Sequence, residues 1–361
     1  FFNFVFADSD GNIGQRASGL IPIRLEGGAV PRKAGPLDNW TGWIPKDQMP
    51  GAFNPQRNWL GTANNDTRPD DYPYYYSSHF APDYRISRIM EALSSTERLS
   101  AEQNWELSND TRNLLAVELA PLMAEWLRED ESTAQLAQLL ESWDFHDDSD
   151  SVGATVFHVV YEQLPGLAFN DEMSPALAGR FLASRYFIQQ RFDNALLAGD
   201  SPWFDDETTP QVESASDLTV QAGQMALKLL RENLGPDPES WQWGKANRLL
   251  FVSPLRQKGF GRDWLGGGEH PGRGSHETLN RAGYLTDNFP YTTAYIASAR
   301  FVMDLADNEK IMGSLPGGVV ARQGHPWFAS QLESYLAGTW TPWWRSESRV
   351  IEHEQHVLEL R

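Results

Sequence analysis

The chain has 361 residues, 40% hydrophobic and 22% charged, a globular composition with room for one to three domains and well outside the disordered class. A net charge of −19, from 49 acidic and 30 basic residues, repels phosphate backbones and argues against a nucleic-acid partner. The absence of cysteine excludes disulfides, thiolate metal sites and a cysteine nucleophile, and no apolar run reaches the roughly 18 residues a membrane span needs.

There is no initiator Met, and the chain opens in Phe-Phe-Asn-Phe-Val-Phe, which reads as a strand already under way in a processed chain or a fragment. Residues 1 to about 80 read as strands and turns. Phe4-Val5-Phe6 precedes the turn cluster Asp8 to Asn12, then Ile13 and the stretch Leu20 to Ile23. Glycine, proline and tryptophan are dense from Gly27 to Tyr76, implying loops packed down by rings.

Near Pro82 the period changes. Ile86, Ile89, Met90 and Leu93 share one helical face, and Ser100 with Gln103 forms a capping box that opens the next helix. Leu115, Leu119, Leu122, Met123 and Trp126 continue the pattern, with Pro121 expected to kink or restart it. Further helical stretches fall at Leu136 to Trp143, Val152 to Leu164, Ala176 to Leu197 and Leu218 to Leu234. Strands return after Trp241, clearest at Leu249 to Val252 and Ala299 to Met303, separated by glycine-rich loops at Gly259 to Gly274 and Gly313 to Gly324. The order β-rich (1–80), helical (81–240), β-rich (241–361) describes one composite α+β domain, a sheet core with an inserted helical segment.

The usual chemical motifs are missing: no HExxH helix, no phosphate-binding loop, no dinucleotide fingerprint and no GxSxG elbow. His270 and His276, with Glu269 and Glu277 beside them, supply metal-ligand types but read as a flexible surface loop with no strand or helix to fix them. The run Glu352 to His356 reads as a solvated face. The 14 tryptophans leave open a glycan-stacking module, and sequons begin at Asn39, Asn65 and Asn109.

A longer pattern is more informative. Asn3-Phe-Val-Phe-Ala-Asp8, Gly11-Asn12-Ile13-Gly14 and Gly19-Leu-Ile-Pro22-Ile-Arg24 are followed in order by Trp40-Thr-Gly42-Trp-Ile44-Pro45, Asn54-Pro55 and Leu60-Gly-Thr-Ala-Asn64-Asn65. Tyr72-Pro73 and Asp83-Tyr84-Arg85-Ile-Ser-Arg88 come next, then Trp241-Gln-Trp243-Gly244 with Ser253-Pro254-Leu255, Ser298 to Leu305, and Pro316 to Pro342. This succession resembles the penicillin acylase (penicillin amidase) family of N-terminal nucleophile hydrolases, along the large subunit. Two departures stand out: Ser253 replaces a usual histidine, and Ala321-Arg322-Gln323-Gly324 replaces an intact GQSG.

The resemblance implies a four-layer αββα sandwich and hydrolysis of a linear amide, with acyl-homoserine-lactone cleavage as a close alternative and a non-catalytic binding scaffold of the same fold as a third. It implies autoproteolytic processing, a periplasmic or secreted location, and two partner segments, the small subunit and the preceding part of the large one. The nucleophile, an N-terminal serine, would lie outside this chain, and no serine here takes its place. Carried over by resemblance, Asn64 is the oxyanion-hole residue and Arg85 a positioning residue; Asn64-Asn65-Asp66 is also good turn chemistry. The family often binds calcium in the large subunit, whereas Tyr74 to Ser78, where one ligand is expected, holds no carboxylate. No other cofactor is implied.

Overall fold

In the computed structural model the described residues are 2–24, 28, 30, 35, 40–95, 98–184, 186, 188–251, 267–354 and 357. Asn39, Val252, the Ser253-Pro254-Leu255 segment, Gly259 to Gly266 and Gln355-His356 lie outside them. Two compact units emerge, one of residues 1–97 with 180–194 and one of residues 98–179 with 195–361.

In the first unit, β1 (Asn3–Ala7) and β2 (Ile13–Ala17) form a hairpin in register Asn3 with Ala17, and β3 (Gly51–Phe53) pairs antiparallel to β2. The hairpin turn is built by Asp8, whose Oδ1 accepts from the backbone N–H groups of Asp10 and Asn12 while Gly11 takes φ +85°. The stretch Leu20 to Ile23 is not a regular strand: it pairs through one bridge, Pro22 to Trp43, flanked by bonds from the Ile44 N–H to Ile21 O and from the Ile23 N–H to Gly42 O. Its Ile21 instead packs with Ala17, Ile44, Met49 and Tyr76 in a small core. Helix α1 (Tyr84–Ser94) follows and buries its first turn, Tyr84 to Ile86.

The second unit is mainly helical to residue 234. The capping box forms, with the Gln103 N–H donating to Ser100 Oγ at 3.2 Å and the Ser100 N–H to Gln103 Oε1 at 2.8 Å, and it opens α2 (Ala101–Ser108). Helix α3 (Leu114–Leu127) runs through Pro121; full burial of Leu119, Met123 and Leu127 outweighs the one lost backbone bond. Then come α4 (Ala134–Glu141), α5 (Val152–Tyr161) and α6 (Leu164–Phe169). The expected helix over 176–197 is two helices, α7 (Pro175–Ala183) and α8 (Gln189–Ala198), whose residues 180–194 belong to the first unit. The long α9 (Ala215–Leu234) lays Leu218, Ala222, Ala226 and Leu230 against α3, α5 and α6.

A short α10 (Trp243–Ala246) leads into β4 (Asn247–Phe251), followed by β5 (Gly268–Pro271), β6 (Ala282–Leu285) and β7 (Tyr291–Ile296). These make a sheet of order β5-β4-β7-β6, parallel only between β4 and β7. A second sheet, β10-β9-β8, joins β8 (Arg300–Met303), β9 (Ile311–Ser314) and β10 (Thr341–Pro342), with α11 (Leu332–Leu336) between. Helix α12 (Glu347–His353) exposes its polar residues, as its sequence predicts, and His353 stacks on Trp344 at 4.4 Å.

The 269–277 segment differs from its expected form. His270 sits on β5 opposite Leu249, and Ser275, Glu277 and Thr278 are buried. It is not a surface loop, because the Gly274 N–H donates to Asp147 O and the Trp243 indole to Gly274 O, which tie the chain into the core. Among the described residues no three His, Asp or Glu side chains gather as a metal set, and no helix is long and apolar enough to cross a membrane.

Candidate active site

Asn64 and Arg85, 21 positions apart, meet in the first unit. Arg85 rises from the first turn of α1, is 9% exposed, and donates through Nη2 to Asn64 Oδ1 at 3.0 Å and to the Ala63 carbonyl at 2.7 Å. Asn64 takes φ +66°, a left-handed conformation that asparagine tolerates better than most residues. Its carbonyl accepts from the Ala81 N–H at 2.9 Å, closing the 64–81 loop onto itself.

The pairing settles which way the Asn64 amide faces. A guanidinium only donates, so the side-chain oxygen must turn toward Arg85 and the NH2 away from it. Asn64 is exposed, and its Nδ2 donates to no protein group among the described residues. The result is a side-chain N–H pair presented outward, held from behind by a buried cation.

Arg85 is itself held by α1. Tyr84 donates to Asp193 Oδ2 at 3.0 Å, both residues being buried, and the Asp83 N–H donates to Gln190 Oε1 at 2.9 Å. Tyr186 Oη lies 3.5 Å from Arg85 Nη2. No sequence pattern marks Asp193, Tyr186 or Gln190, because their partners lie over 100 residues away in the chain.

Beside this pair is an open cleft of about 380 Å³, lined by Asn65, Trp59, Arg57, Ile86 and Met90 among others. Its electrostatics are divided. Burial acts to raise the Asp66 carboxyl, but its bonds to Arg68 outweigh this and hold it below the usual range. Asp83 is raised, by burial first and by the Asp66 charge second. The Arg57 guanidinium stacks 4.2 Å from the Trp59 ring centroid.

In the 74–78 stretch, where the resemblance expects a calcium ligand, Tyr74 Oη is bonded to Gln48 Oε1 and Tyr75 Oη to Ser78 Oγ, and no side chain is a carboxylate.

Comparison with known proteins places these features. The penicillin amidase family model matches residues 1–352. The chain is 28% identical over 357 residues to the acyl-homoserine lactone acylase QuiP of Pseudomonas fluorescens (strain Pf0-1), covering 93% of this chain and 42% of that protein. It is 26% identical to the penicillin acylase 2 proenzyme of Pseudomonas sp. (strain SE83), covering 99% of this chain and 46% of that one. The chain thus spans less than half the length of these two relatives. Among solved structures, a thermostable penicillin G acylase from Alcaligenes faecalis superposes with a TM-score of 0.63 at 16% identity, over 99% of this chain and 67% of that one. The α+β architecture therefore shares the fold of that penicillin G acylase, and with a family match that runs from its first residue to its 352nd, the chain belongs to the penicillin amidase family.

Proposed function

We propose that this chain is part of an amide hydrolase that cleaves a linear amide into a carboxylic acid and an amine, with the nucleophilic N-terminal serine lying outside these 361 residues. The observation that carries the reading is the Arg85–Asn64 bond, which aims a side-chain N–H outward in a chain of this family.

The chemistry follows from that geometry. The serine hydroxyl attacks the amide carbon while its own free α-amine, which titrates near ~7.7 when unperturbed, takes the proton. The carbonyl oxygen becomes an oxyanion, and Asn64 Nδ2 donates to it. Arg85 fixes the Asn64 amide so that this donor needs no reorganisation as charge develops. The carbon–nitrogen bond then breaks, the amine leaves with the proton, and water releases the acid from the serine ester. None of these steps calls on a cofactor.

A second reading keeps the same steps with an acyl-homoserine lactone as the amide. It is favoured by relatives from Pseudomonas fluorescens and Pseudomonas syringae that are acyl-homoserine lactone acylases. In either case residues 1–80, 81–240 and 241–361 are proposed to act as one composite domain. The small subunit and the rest of the large one are the proposed partners, and the periplasm or the exterior is the proposed location.

The test is to sequence the N-terminus of the mature large subunit and assay phenylacetyl amides, long-chain acyl amides and acyl-homoserine lactones, with and without a chelator. An N-terminal serine with turnover supports the acylase, and the preferred substrate separates the two readings. Absence of turnover on all three would favour a non-catalytic scaffold.

A further inference from the structure

In the second unit a partly enclosed cavity of about 200 Å³ lies away from the Asn64 loop in sequence and has a charge problem of its own. Arg300, at the start of β8, is 9% exposed and lines it. Its guanidinium donates to Asn280 Oδ1 and, at 3.4 Å, to the Tyr335 carbonyl, and it lies 4.2 Å from the Tyr335 ring centroid. Every partner is neutral. Among the described residues no carboxylate pairs with Arg300, although a buried cation is costly unless an anion or a full set of acceptors offsets it.

The rest of the lining suits an anion with an apolar body. Arg273 lines the same cavity, its own charge met by Asp148, whose Oδ1 accepts from Arg273 Nε at 2.9 Å. Leu249, Ile296 and Leu336 supply apolar lining. One uncompensated positive charge beside apolar side chains in so small a volume describes a monoanion with a hydrocarbon end.

We propose that this cavity is a binding site for a small carboxylate with a short apolar body, its carboxylate on Arg300 and its carbon chain against Ile296 and Leu249. A phosphate dianion suits it less well, since one free cation and an apolar wall would leave half its charge and most of its oxygens unmet.

The test measures the thermal midpoint of the mature protein in sodium butanoate and in sodium chloride at equal ionic strength, because a ligand that binds only the folded state raises the midpoint with its concentration. Butanoate should raise it and chloride should not. R300Q should weaken the butanoate effect roughly tenfold or more in concentration. I296F, which leaves the cation in place and fills the cavity, should abolish it, and decides the matter if R300Q does not fold. N64A should retain the full effect, which separates this site from the proposed hydrolytic one. An equal rise in chloride, an unchanged response in R300Q or I296F, or loss of the response in N64A would overturn the proposal.

Discussion

His158 Nε2 stands 3.1 Å from Asp147 Oδ2, and neither residue is more than 1% exposed. On the other side of the ring, Nδ1 is 3.0 Å from Tyr284 Oη, and that hydroxyl donates to Glu162 Oε1 at 2.9 Å. A hydroxyl has one proton, so if Tyr284 gives it to Glu162 it can only accept from His158. In that arrangement, with Asp147 Oδ2 accepting on the other side, both ring nitrogens donate, which is the imidazolium form. Burial alone would lower its pKa, but the Asp147 charge and hydrogen bond, with Glu277 and Glu162 beyond, outweigh this and raise it. The stacked Trp243 ring, 4.5 Å from the imidazole, closes the site to solvent.

From this pair the direction of a pH effect follows. A histidine whose folded pKa lies above its unfolded value of about 6.5 adds stability that is fully present below that pH and is lost as pH rises through the folded value. The unfolding midpoint of the wild-type protein should therefore fall, relative to H158Q, as pH is raised above about 6.5. Parallel pH profiles for the two proteins would refute a buried imidazolium. D147N, which strands the cation, should cost about 3 kcal/mol in denaturant unfolding.

Replacing Asn64 with alanine removes the proposed oxyanion donor, with about 1 kcal/mol of strain from alanine in the left-handed backbone at this position. In the mature protein, kcat should fall by roughly 10²–10³ with KM little changed. Turnover at the wild-type rate would remove Asn64 from the mechanism.

Arg85→Lys keeps the charge but replaces the rigid guanidinium, whose Nη2 donates to both the Ala63 carbonyl and Asn64 Oδ1, with a shorter and more flexible ammonium. A partial loss of kcat, smaller than that of N64A, is expected, and the double variant should be no worse than N64A alone, since Arg85 acts through Asn64. Additive losses in that cycle would assign Arg85 a separate role.

Gly153, in the first turn of α5, has no room for a methyl group: a Cβ there would come within 2.3 Å of Trp143 Cβ and Cγ. Trp143 cannot easily retreat, being packed on Phe157 and bonded through its indole N–H to the His146 carbonyl. Gly153→Ala should destabilise the protein by about 1–3 kcal/mol, more than the roughly 1 kcal/mol of helix propensity it gains. A stabilised variant would show that α5 shifts to accommodate the methyl group.

Loss of the Ser100 side chain should cost about 1 kcal/mol, because the Gln103 N–H at the start of α2 would be left without its acceptor. Differential scanning calorimetry of S100A would register this as a lower midpoint, and an unchanged one would mean that water replaces the hydroxyl.

Much of this was legible along the chain, for a local reason. The Ser100–Gln103 box, the apolar face of α1 and the stripe of α9 each rest on residues three or four apart, so neighbouring side chains specify them. The family pattern likewise survives as short motifs in fixed order, enough to point to Asn64 and Arg85. What only tertiary structure decided is where residues distant in sequence meet and how much water reaches them. The 269–277 segment reads as a glycine-rich surface loop until Asp147 and Trp243 bind it into the core. Pro121 reads as a break until the burial of α3 holds the helix through it. His158 has no motif around it, and its charge depends on Asp147, 11 residues away, and on Tyr284, 126 away. Periodicity reports which face of an element is apolar, whereas the protonation of a buried ring or the loneliness of Arg300 is set by groups brought together from the far ends of the chain.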